Sequence, residues 1–140
     1  MVQTDDAPAQ LSQEEYETLA AFRYELRRFL QRSEQAARTV GLTPQQHQAL
    51  LAIRASAQGA MTVGMLAEQL LVQPHSASDL ADRLITLGLL SGDIAPEDRR
   101  RIWLRLTPEA VTRLNRLSNA HRAEVVKLRP TLNGLLRKLK

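Results

Sequence analysis

Apolar residues recur at three- and four-residue steps from Tyr16 through Leu19, Phe22, Leu26, Phe29 and Leu30, the pattern of one long amphipathic helix. Ser12 and Glu15 form a capping-box pair ahead of it, and Gly41 closes it just past Thr39. Thr43-Pro44-Gln45-Gln46 repeats the start signal, with a capping threonine, a proline at the first helical position and a glutamine to complete the box. A second helix is predicted to about Ser56, then a linker, Ala57-Gln58-Gly59-Ala60. Thr62 can cap a third helix, with Val63, Leu66, Ala67 and Leu70 on one face. After a break at Leu71-Val72-Gln73, Pro74 opens a fourth helix whose buried stripe is Ala77, Leu80, Ala81, Leu84 and Ile85. Gly88 is the natural left-handed residue to end it. Two short helices joined by about three residues have the spacing of a helix-turn-helix.

Beyond Gly88 the period changes. Leu89-Leu90 begins a short strand, and the stretch from Ser91 to Glu97 holds the turn residues Gly92, Asp93 and Pro96. Arg101 to Leu106 then alternates, with Ile102, Leu104 and Leu106 on one face and Arg101, Trp103 and Arg105 on the other. This predicts a β-hairpin. Thr107-Pro108-Glu109 starts another helix, which continues through Val111, Leu114, Leu117, Val125 and Leu128 until Pro130 breaks or kinks it. Leu132, Leu135, Leu136 and Leu139 make a last apolar stripe that needs a partner surface.

Composition narrows the chemistry. The 140 residues are one domain's worth, and 44% hydrophobic with 24% charged content is that of a globular chain. Met1 to Gln10 is expected to be a loose arm without a secretory signal, and no apolar run is long enough to span a membrane, so a cytoplasmic location is expected. Cysteine is absent, which excludes disulfides, thiolate metal sites and thiol redox sensing. The three histidines, His47, His75 and His121, lie far apart in the chain without ligand spacing. No phosphate-binding glycine loop or nucleophile elbow is present, so neither an enzyme nor a cofactor is expected. The net charge of +4 is mild. Residues 107–140 carry most of the excess, eight basic against two acidic, while Arg99, Arg100, Arg101 and Arg105 cluster at the hairpin. Such a cluster can bind phosphate even in a segment that is neutral overall.

Four strings, in order, resemble the multiple-antibiotic-resistance regulator (MarR) family. Gly41-Leu42-Thr43-Pro44-Gln45-Gln46 looks like the family's approach to helix 2. Leu84 through Gly88-Leu89-Leu90 looks like the end of its recognition helix, Pro96-Glu97-Asp98-Arg99-Arg100 like its wing tip, and Leu106-Thr107 like the start of its dimerisation helix. The resemblance spans about residues 12–140. It departs at Gly92, where the family often has arginine, at Ala95, where it often has aspartate, and at Pro108-Glu109-Ala110, within its LTxxG pattern.

The resemblance implies a mainly α fold: a winged helix-turn-helix with a two-stranded β-wing, flanked by long N- and C-terminal dimerisation helices. Residues 1–10 would be the arm, 11–41 and 107–140 the dimerisation helices, and 42–106 the DNA-binding region. It implies a sequence-specific regulator of double-stranded DNA, a ligand-responsive repressor acting as a homodimer on a near-palindromic operator. The base-reading candidates are Gln73, His75, Ser76, Ser78 and Asp79 at the start of the recognition helix. Thr62 joins the DNA-contacting set, and Arg83 is either a phosphate clamp or a partner of Asp79. Arg99, Arg100, Arg101 and Arg105 are the wing contacts, with Asp98 expected to hold Arg100 in position. A small aromatic or phenolic acid is the implied effector, with Tyr16, Arg23, Tyr24, His47 and Arg54 as candidates for its pocket. Two other readings stay open: a winged-helix protein-interaction module and a nonspecific architectural DNA binder. Preference for one DNA sequence over another separates both from the regulator.

Overall fold

The computed structural model describes residues 8–139, so residues 1–7 of the expected arm lie outside it; residues 8–10 carry no regular secondary structure. The order is α1 (Gln13–Thr39), α2 (Pro44–Ala55), β1 (Ala60–Thr62), α3 (Val63–Leu70), α4 (Pro74–Thr86), β2 (Leu90–Ala95), β3 (Asp98–Leu106) and α5 (Pro108–Arg137). The fold is a winged helix-turn-helix between two long helices, as the hydrophobic pattern predicts.

The helix starts follow local hydrogen-bond chemistry. Ser12 Oγ accepts from the Glu15 amide while Glu15 accepts from the Ser12 amide, and Thr43 with Gln46 makes the same reciprocal pair. Thr62 and Thr107 cap α3 and α5 through their hydroxyls. Each cap replaces hydration of a backbone donor that the helix cannot satisfy, worth about 1 kcal/mol. Thr107 does more: its hydroxyl donates to the Gly88 carbonyl at 2.7 Å, and its amide donates to Leu89 O at 3.1 Å. The end of α4 is thereby fastened to the start of α5. Gly88 has φ +73°, where a side chain would be strained.

α3 ends unusually. Leu71 sits in the left-handed region at φ 56°, a conformation costing a side-chain-bearing residue about 1–2 kcal/mol. Its amide bonds to Glu68 O and that of Val72 to Ala67 O, which satisfies two terminal carbonyls and offsets the strain.

The core lies where α2, α3, α4 and the sheet converge, around the wholly buried Leu50, Ile53, Leu66, Leu84, Leu89 and Leu104. Ala37 from α1 and Ala110, Leu114 and Leu117 from α5 close it on the other side. Burial of each large side chain contributes about 1.5–3 kcal/mol. Farther out, α1 and α5 run together, joined by Arg32 and Glu124 at 3.1 Å.

Three expectations change. The sheet has three antiparallel strands in the order β1-β3-β2, because Ala60, the last residue of the expected linker, joins Met61 and Thr62 in pairing with Arg105, Leu104 and Trp103. The wing loop shrinks to Pro96-Glu97, since Ser91 to Ala95 continue as strand against β3. Gly92 lies there not as a turn residue but to make room: a Cβ on it would stand 2.9 Å from Ile102 Cγ2 and 3.6 Å from Ile85 Cδ1. Finally, Pro130 does not break α5, which runs on to Arg137. The proline is exposed, so the carbonyl it leaves without an intrahelical donor lies on the solvated side, and Leu132 and Leu135 continue the same helix.

Candidate nucleic-acid interface

The first turn of α4 is open. Its N-cap residue Gln73 makes no side-chain capping bond, so the amide is available. Gln73, His75, Ser76 and Asp79 are exposed while Ala77, Ala81 and Leu84 face the core. This division follows from helical period: the alanines let α4 approach closely, and the polar residues fall on the opposite side. Ser76 borders a small hollow toward Gln45, Gln48 and Leu70, at the α2 and α3 side. Ser78 is half-buried and faces the wing instead. Arg83 is exposed and forms no ion pair with Asp79 among the described residues, so its guanidinium is unengaged.

The wing brings its arginines to the same region. Arg100 and Arg101 line a hollow of about 410 Å³ with Thr62, Val63, Gly64, Ser78 and Ile102. Arg101 also borders a wider groove of about 720 Å³ along α3, past Met65, Glu68 and Leu71 to Pro74. Positive side chains on the strand thus face the starts of both helix-turn-helix helices. Thr62 takes a different part from the one expected. It is buried, its Oγ accepts from the Met65 amide at 3.3 Å, and it forms the floor of the hollow rather than an open contact.

The four wing arginines are not equivalent. Arg99, Arg100 and Arg101 are exposed and lack a carboxylate within ion-pair distance among the described residues. Arg105 is engaged: it donates to Gln58 O at 3.1 Å and lies 3.9 Å from an Asp93 carboxylate oxygen. It ties the approach to β1 and strand β2 onto β3. Asp98 also differs from expectation. Its Oδ1 accepts from the backbone amide of Arg100 at 2.9 Å, so it shapes the tip's backbone and leaves the Arg100 guanidinium unpaired. A register shift between Ile94 and Ala95 leaves Arg99, Arg100 and Arg101 without partners on β2, and the carboxylate two residues back accepts the freed amide.

The five effector candidates are not brought together within one chain. Tyr16, Arg23 and Tyr24 are exposed along α1, Tyr24 with Arg28 set over its ring at 5.8 Å. Arg54 is exposed on the last turn of α2. His47 is buried between α1, α2 and α5 and borders a hollow of about 60 Å³ with Leu30, Ser33 and Glu34. What the sequence does not disclose is its neighbour. His121 packs beside it, ring centroids 4.9 Å apart. The two histidines are remote along the chain, and only the packing of α2 on α5 brings them together. The described residues contain no group of three or more side chains suited to a metal ion, and no helix among them is long and apolar enough to cross a membrane.

Residues 40–101 match the family model described as MarR family. No curated protein matches the chain. Among solved structures, AbsC, a MarR-family transcriptional regulator from Streptomyces coelicolor, is similar with a TM-score of 0.73 at 19% identity, over 86% of this chain and 81% of that one. Sco3205, a MarR-family regulator from the same organism solved in complex with DNA, gives 0.73 at 18% identity over 95% and 89%. Wild-type MarR from E. coli in its apo form gives 0.66 at 20% identity over 94% and 98%. At such identities the structural likeness is one of fold. The matched segment contains α2, the helix-turn-helix and most of the wing. Residues 40–101 thus match the MarR-family model, and over most of its length the chain shares its winged helix-turn-helix fold with solved members of that family.

Proposed function

We propose that the chain is a sequence-specific, double-stranded DNA-binding transcriptional regulator that acts in the cytoplasm as a homodimeric, ligand-responsive repressor. The observation that carries this reading is that the unpaired Arg100 and Arg101 line hollows that reach Pro74 and Ser78 at the open N-terminal part of α4. Phosphate contacts from the wing would fix register, and Gln73, His75, Ser76, Ser78 and Asp79 would read or reject base edges, with Arg83 on phosphate. The family match favours DNA binding over catalysis.

A homodimer is supported by apolar surface on the two long helices. Leu11, Tyr16, Leu19, Tyr24, Leu26 and Leu30 at the N-terminal side, and Val125, Val126 and Leu136 on α5, are all exposed in one chain. A soluble monomer rarely leaves so much contiguous apolar area uncovered. Residues 11–41 and 107–140 are therefore proposed as dimerisation helices and 42–106 as the DNA-binding region. Two-fold symmetry would set the two α4 helices about one DNA turn, roughly 34 Å, apart and call for a near-palindromic operator. An aromatic or phenolic acid would act between these regions, near Tyr16, Arg23, Tyr24, His47 and Arg54, by favouring a spacing of the α4 helices that no longer fits the groove.

Fluorescence anisotropy tests the reading, with DNA upstream of the protein's own coding region against a shuffled copy over a salt series. A preference of roughly a thousandfold or more for the native fragment near physiological salt supports a specific regulator. Equal affinity for both refutes specificity and leaves an architectural binder; no binding to either leaves the protein-interaction module.

A further inference from the structure

The His47–His121 contact is a polar pair where the fold otherwise builds apolar packing. His47 is about 95% buried, its residue exposure being 5%. Both Nε2 atoms are buried, and neither has a hydrogen-bond partner among the described residues. The rings are 4.9 Å apart and inclined by 34°, and the ring of Phe29 of α1 lies 6.4 Å from that of His121. The pair lies at a mechanical junction. α2 packs on α3, α4 and β1 of the winged segment, whereas α1 and α5 are the long helices.

The surroundings offer an imidazolium little. On α1, Glu34 borders the His47 hollow with Ser33 and Leu30, but it is exposed. Arg32 and Glu124, from α1 and α5, neutralise each other at 3.1 Å. α2 contributes Pro44 and Gln48 to the hollow and has one charged residue, Arg54, on its last turn. On α5 the flanking charge is the cation Arg122. A proton on either ring would place charge in a low-dielectric contact against a second imidazole, with no buried carboxylate among the described residues to receive it.

We propose that His47 and His121 form a proton-operated latch between the winged segment and the long helices, closed in the DNA-binding form and opened by acid. The DNA half of this statement rests on the function proposed above. Burial, and after it the charge of His121, push His47 below the ordinary imidazole value of 6.5. The unfolded or opened chain therefore takes up the proton first as pH falls. The closed form keeps its full stability above about pH 6.5 and loses it progressively below, through the lowered value. The same linkage disfavours any DNA-bound state that requires the rings in contact.

His75 is the chain's one other histidine and stands on α4. An imidazolium there would attract phosphate and act in the opposite sense, so the test uses a His75→Gln background. Affinity for the best-binding DNA is measured by anisotropy at pH 7.5 and 5.5 at one ionic strength, beside the thermal midpoint of the DNA-free protein. The expected result is weaker DNA binding at pH 5.5, by at most about tenfold for each His47, the limit set by the ordinary imidazole value of 6.5. Adding His47→Gln should reduce that fold-change to less than about threefold and remove most of the acid-induced drop in midpoint, while His121→Gln, which leaves the burial of His47 in place, should lessen both in part. His121 is only half-buried, so this variant is expected to fold; His47→Gln is the stricter companion. An acid response equal with and without His121→Gln overturns the latch, as does a midpoint that responds while affinity does not. If no DNA binds at either pH, the regulator reading fails separately, and the proposal, which requires gated DNA binding, falls with it even where the midpoints respond.

Discussion

Arg101→Ala and Arg105→Ala should fail in different ways, although the two arginines share a face of β3. Arg101 lines both hollows beside α3 and makes no ion pair among the described residues; Arg105 is held by Gln58 O and Asp93. If Arg101 meets a DNA phosphate, removing it deletes one counterion-releasing contact per protomer. Each such contact contributes about 0.9 to the slope of log affinity against log salt, so a two-fold dimer loses about 1.8, or roughly twelvefold in the ratio of affinities between 50 and 200 mM salt. Arg105→Ala removes instead a bond to a carbonyl and a half-exposed ion pair, together about 1–2 kcal/mol of fold stability. Its salt slope should change by less than about 0.5, because the guanidinium is already engaged.

Anisotropy over a salt series reads the slopes, and urea unfolding reads the stabilities. The reasoning is refuted if Arg105→Ala flattens the slope as much as Arg101→Ala, or if Arg101→Ala leaves it unchanged while binding persists. Arg99→Ala and Arg100→Ala should follow Arg101→Ala, since neither has a carboxylate partner among the described residues.

Leu84→Ala removes a wholly buried side chain from the face by which α4 packs on the core, and should lower unfolding free energy by about 2–5 kcal/mol in urea. Gly92→Ala should cost about 1–3 kcal/mol through the 2.9 Å approach to Ile102; a loss that persists undiminished in an Ile102→Ala background would show that the clash is not its origin. Asp98→Asn keeps an acceptor for the Arg100 amide and removes a negative charge, so its DNA affinity should equal or exceed that of the parent, whereas Asp98→Ala should bind more weakly than Asp98→Asn by a few-fold in the same anisotropy assay.

The elements legible in the sequence are those whose cause is local. The Ser12–Glu15 and Thr43–Gln46 boxes, proline at the first position of α2, α4 and α5, and Gly88 after α4 each act within one turn of chain, and the structure has them in place. The departures share a different cause. Ala60-Met61-Thr62 is too short to show a period, and becomes a strand because β3 offers a free edge. Gly92 and Asp93 favour turns by type, yet the run from Ile102 to Leu106 of β3 presents enough partners to draw them into pairing. Pro130 removes one donor from a helix whose neighbouring turns are already formed, and the helix tolerates the loss.

The interface divides along the same line. Alternation alone puts Arg101 and Arg105 on one face, and nothing in their spacing separates a free guanidinium from a bound one. The separation comes from register: Arg105 stands opposite Ala60, which brings the Gln58 carbonyl within reach, while Arg101 lies two residues beyond the last β1 pair, Thr62 with Trp103. Asp98 is also a matter of register, since the shift between Ile94 and Ala95 frees the Arg100 amide from the ladder and the Asp98 carboxylate accepts it. His47 and His121 depend on the packing of α2 against α5, contacts between segments far apart in the chain, and no pattern within either helix announces them. A surface arginine count therefore overstates the wing's capacity for phosphate by the one residue that the sheet has already engaged, and a histidine spacing rule overlooks the pair because it considers one segment at a time.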